Sequence, residues 1–89
     1  MIQSSAFVRA AKRFVKNRPD AIKSIRETLA LLETDAFDAR LRTHKLKGDM
    51  AKCWSSSAGY DLRIVFQFIA HDNAEAIYLM SVGTHNGVY

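Results

Sequence analysis

Leu62-Arg63-Ile64-Val65-Phe66-Gln67-Phe68-Ile69-Ala70 is a run dense in β-branched and aromatic side chains. Such a run reads as a largely buried strand. His71-Asp72-Asn73 supplies turn chemistry, and residues 76–82 return as a second strand. An antiparallel hairpin is therefore expected at the centre of the fold. Upstream, residues 51–56 are a weaker strand candidate, and Ser55-Ser56-Ser57-Ala58-Gly59 is expected to be the solvated connection into the long strand.

The N-terminal half has a different period. In residues 6–17, Phe7, Val8, Ala11, Phe14 and Val15 follow helical spacing, with Arg9, Lys12, Arg13 and Lys16 elsewhere. Ser4 and Ser5 are N-cap types. Arg18-Pro19 breaks this helix, since a residue before proline avoids the helical region. Pro19 suits the first turn of a second helix, and Asp20 its positive end. Ile22, Ile25, Leu29 and Leu32 predict a buried seam along it, ending near Thr34-Asp35. Residues 1–3 suit a short edge strand, and residues 36–49 are irregular and basic. The expected class is α+β: a helical hairpin packed on one face of a small, mainly antiparallel sheet.

Eighty-nine residues make one domain, and a hydrophobic fraction of 48% suffices for a core. No apolar run approaches a membrane span, and basic residues interrupt any secretory-type leader. Cys53 is the only cysteine, so an internal disulfide is excluded and a cytosolic location is expected. Charge is uneven. Residues 1–52 hold 12 of the 13 Lys and Arg but six of the nine acids. A polyanion binder would look like this, and so would solvated amphipathic helices.

Most catalytic signatures are absent. Gly48, Gly59, Gly83 and Gly87 make no phosphate loop, and no Cys pair or close His pair has zinc spacing. No cofactor is expected. Tyr60, Tyr78 and Trp54 are read as core or sheet-face aromatics, and His71 as a turn residue. What remains is a polar set: His44 before the sheet, Asp61 and Arg63 at the start of the long strand, and His85 and Tyr89 after the last one. In an antiparallel hairpin the start of one strand lies beside the end of the next. A base, an acid and a cation gathered there could cleave RNA at a 2′-hydroxyl. An Asp61–Arg63 ion pair and a solvated His85 are the plainer readings.

Three motifs in order carry a resemblance. His44-Lys45-Leu46-Lys47-Gly48 precedes the sheet, Gly59-Tyr60-Asp61-Leu62-Arg63 opens the long strand, and Ser81-Val82-Gly83-Thr84-His85-Asn86-Gly87-Val88-Tyr89 follows the last. Together they resemble the RelE/ParE superfamily of type II toxins, most closely its YafQ-like and RelE-like mRNA interferases. The resemblance implies a toxin that enters the ribosomal A site and cuts mRNA without a metal. It implies catalytic roles for His44, Asp61, His85, Tyr89 and Arg63, and RNA contacts from Arg42, Lys45, Lys47 and Lys52. It also implies a cognate antitoxin, a toxin–antitoxin hetero-oligomer and no membrane. An acidic segment that folds on binding would complement the basic first 52 residues. The sequence departs from the YafQ-like pattern at Ser56-Ser57-Ala58, where a further histidine is expected. The alternatives are a ParE-like gyrase poison that cleaves nothing, and a degenerate relative that only binds antitoxin.

Overall fold

The computed structural model describes residues 1–16 and 18–84. Its elements are β1 (Ile2–Gln3), α1 (Ser5–Val15), α2 (Pro19–Thr34), β2 (His44–Lys45), β3 (Trp54–Ala58), β4 (Leu62–His71) and β5 (Ala74–Thr84). They form a five-stranded sheet in the order β1-β5-β4-β3-β2. Only β1 runs parallel to its neighbour, and every other pairing is antiparallel. Both helices pack on one face, α1 against β5 and α2 against β3.

The hairpin β4–β5 holds the core because its residues alternate. Leu62, Ile64 and Phe66 point to the helices and are essentially fully buried, as are Leu79 and Val82 across from them. Asp72 and Asn73 make the turn with φ of 51° and 65°. Positive φ at both central residues matches the right-handed twist of the strands, and Asp and Asn tolerate it. Between Val65 and Phe66 the register slips, with Val65 opposite Ser81 but Phe66 opposite Leu79. Met80 is the extra residue of this bulge. Its carbonyl accepts from Ser4 Oγ at 3.0 Å, and the same hydroxyl oxygen caps α1 by accepting from the Phe7 amide.

The structure departs from the sequence expectations in three places. The buried line on α2 is Ala21, Ile25, Thr28 and Leu32, while Ile22 is exposed. Ile25 and Leu32 are buried as expected and Leu29 packs against the core, but Ala21 rather than Ile22 completes the line and Thr28 joins it. Thr28 accepts this position because its hydroxyl donates to the Ser24 carbonyl at 2.7 Å. The serine stretch is also no solvated turn. Ser55, Ser56 and Ser57 lie inside β3, Ser55 and Ser56 are completely buried, and Ser56 Oγ bonds Thr43 Oγ1 at 2.7 Å. Finally, His44 and Lys45 leave the expected loop to pair as edge strand β2 with Ser55 and Trp54.

Candidate functional site

The register of β3, β4 and β5 sets Ser57 beside Arg63 and Arg63 beside Gly83. Cross-strand partners share a face. Arg63 is out of phase with Leu62 and Ile64, so it lies on the face opposite the helices. At this end of the sheet an open cleft of about 730 Å³ is lined by Arg40, Arg42, Ser57, Gly59, Tyr60, Asp61, Arg63 and Thr84. Three guanidinium groups against one carboxylate make its walls basic. Arg40 is largely committed, since its Nε and Nη2 donate to both Asp38 oxygens at 3.0 and 2.9 Å. That pair lowers the Asp38 carboxyl to about 2. Arg42 and Arg63 form no ion pair within 4 Å among the described residues. Arg63 Nη1 donates to the Leu62 carbonyl at 2.8 Å, which sets the direction of its side chain.

Asp61 does not face Arg63 as its main partner. Arg18, 43 residues away, donates to Asp61 Oδ1 and Oδ2 at 3.0 Å each and to Asp20 at 3.0 Å. This fork holds the Asp61 carboxyl below its ordinary range, chiefly through the Arg18 hydrogen bonds. Asp61 is therefore an anion at neutral pH and a poor proton donor. Arg18 ties the junction between the helices to the β3–β4 turn that forms the cleft rim.

No protein-family model matches the sequence, and no curated protein does either. Solved structures do match. YafQ from E. coli strain BL21(DE3) superposes with a TM-score of 0.80 at 13% identity, over 99% of this chain and 94% of that one. A YoeB/ParE toxin from Agrobacterium tumefaciens gives 0.78 at 15% identity, over 94% and 96%. The YoeB–YefM complex from Staphylococcus aureus gives 0.73 at 24% identity, over 94% and 93%. This is the fold of the RelE/ParE toxins. At these identities the likeness establishes architecture, and the side chains must speak for the chemistry.

On this RelE/ParE fold the residues singled out from sequence are only partly gathered. Arg42, Asp61 and Arg63 line the cleft. His44 pairs with Ser55, and Ser55 with Val65, one step along from the row of Ser57 and Arg63 on the same face. Two strand spacings and two residues put His44 and Arg63 about 12 Å apart at the backbone. The His44 Nδ1 lies 3.1 Å from the Arg42 carbonyl. A carbonyl can only accept, so in this contact Nδ1 is the donor. Arg42 itself adopts φ 51°, a left-handed conformation rare for its type.

The lysines stand elsewhere. Lys45 is opposite Trp54 on the helix-bearing face. Lys47 and Lys52 flank the short helical turn Gly48–Met50, outside the cleft. His71 pairs with Asp72 at the far tip of the hairpin. His85 and Tyr89 lie outside the described residues. Sequence reasoning missed Arg18, which looked like a helix breaker, and misjudged Tyr60, which is 98% exposed rather than packed. An aromatic directly after a turn glycine was the available signal for Tyr60; nothing local marked Arg18.

Proposed function

We propose that this chain is the toxin of a type II toxin–antitoxin pair and cleaves mRNA on the ribosome. The observation that carries this reading is the basic cleft, in which Arg42 and Arg63 have no ion-pair partner among the described residues and stand beside an exposed ring. Cleavage at a 2′-hydroxyl needs a proton acceptor, a proton donor and positive charge for the phosphorane. In this reading Arg63 and Arg42 hold the phosphate. His44 and His85 exchange the protons, Tyr89 contributes its ring, and Asp61 keeps the rim in place as an anion. Solved relatives of this fold occur in complexes, DinJ–YafQ and YoeB–YefM. A cognate antitoxin, acidic enough to cover the basic surface, is the corresponding partner here.

The test is mRNA cleavage on programmed ribosomes by wild type, His44→Ala, His85→Ala and the control His71→Ala. Loss in the first two variants with retention in the third supports the assignment. Equal cleavage by all four proteins refutes the catalytic roles. Absence of cleavage by wild type, with DNA-damage signalling on induction, points instead to a gyrase poison.

A further inference from the structure

We propose that Tyr60 is a base-stacking residue, presented to RNA by a turn that the helical hairpin holds on both sides. The inference rests on the cleft being an RNA site and adds the group that reads the nucleobase. Tyr60 is 98% exposed, and no aromatic partner among the described residues stacks on it. Among the described residues the other strongly exposed ring, Phe37, is engaged by Trp54 and Phe68 at centroid distances of 5.2 and 5.9 Å. A large ring fully in water contributes little to folding.

Its neighbours, by contrast, are pinned. Gly59 sits at φ +72°, and a Cβ there would lie 2.7 Å from Ser24 Oγ and 3.1 Å from Ser24 Cβ, so the backbone presses directly on α2. Asp61 is clamped by both nitrogens of Arg18. Tyr60 projects between two fixed points, so little backbone entropy is lost when a base meets it. Arg42 and Arg63 line the same cleft. A π face next to guanidinium groups that have no ion-pair partner among the described residues is what a nucleotide requires: a platform for the base and cations for its phosphate.

The experiment is binding of the full chain to ribosomes carrying an mRNA with a 2′-deoxynucleotide at the cleavage position, which binds but cannot be cut. Stacking of one base predicts that Tyr60→Ala weakens binding about 5- to 150-fold, while Tyr60→Phe stays near wild type. An abasic nucleotide is then moved through the codon and its neighbours. At one position Tyr60→Ala should cost nothing further, because the base it stacks on is already gone. Binding by Tyr60→Ala within twofold of wild type overturns the proposal, as does a loss that persists at every abasic position. The readout does not depend on chemistry. A wild type that shows the Tyr60 effect yet cuts no ordinary mRNA refutes the nuclease reading and leaves the stacking in place. A wild type that does not bind refutes both.

Discussion

At the scale of single residues, the site is organised by which charges are paired. In the proposed reaction Arg63, which lines the cleft and has no ion-pair partner among the described residues, is the group that would meet a developing phosphorane. Removing one such electrostatic donor typically costs about 10²–10³-fold in kcat. Arg63→Ala is expected to lose cleavage in that range on programmed ribosomes while its melting curve stays close to wild type; unchanged turnover would remove Arg63 from the mechanism. The Asp38–Arg40 pair gives a pH signature of stability. The Asp38 carboxyl is lowered to about 2, first by the Arg40 side chain and then by the Arg40 amide. A depressed carboxylate contributes stability above its unfolded pKa of about 4 and loses it as pH falls through the folded value. Melting temperature should therefore fall between about pH 4 and 2, and Arg40→Ala should flatten that part of the profile. Asp61 and Asp20, both lowered chiefly by Arg18, add to the loss in the same direction.

At the scale of elements, the β3–β4 turn depends on a close approach that a side chain would prevent. Gly59 is in the left-handed region and touches Ser24. Alanine there costs about 1–2 kcal/mol from the backbone alone. The contact with Ser24 adds to this, because its hydroxyl must rotate away and its Cβ must give by a few tenths of an ångström. Urea denaturation of Gly59→Ala should show at least that loss, together with weaker RNA binding if the turn carries Tyr60 as proposed. A variant as stable as wild type would mean that the turn is not pressed on α2. The hairpin tip at Asp72 and Asn73 is far from the cleft, so changes there should affect stability and leave cleavage alone.

At the scale of the whole molecule, a chain of this length has one core and little reserve. Phe66 is completely buried between the helices and the sheet, in edge-to-face contact with Phe68 at 5.5 Å. Phe→Ala at such a site typically costs about 3–5 kcal/mol, against a total of roughly 5–15 kcal/mol for ordinary domains. Phe66→Ala is expected to melt many degrees lower or to accumulate unfolded, as read by thermal denaturation. A shift of only a degree or two would place the core elsewhere. The sheet resists such damage unevenly. Its centre, β4 and β5, is long and paired along its length, while β1 and β2 hold two residue pairs each.

What the sequence determined by itself is what local chemistry decides. The dense run of residues 62–70, the Asp72-Asn73 turn, the helix break at Arg18-Pro19 and the Ser4 cap each act over a few residues, and the structure contains all of them. The fold class followed, because a helical hairpin and a strand hairpin have few ways to bury their apolar faces together. Tertiary structure alone decided which polar groups meet. Ser55 and Ser56 are strand residues because neighbours on both sides satisfy or cover them, which no serine run announces. The α2 seam takes in Ala21 and Thr28 beside the expected Ile25 and Leu32, and Thr28 is accommodated by its hydroxyl bond to the Ser24 carbonyl. Asp61 serves Arg18 rather than Arg63, and Tyr60 stands in water, because the turn that carries them is held at Gly59 against a helix that begins 40 residues earlier in the chain. Contacts of that range leave no local periodicity or motif, so only the folded chain could reveal them.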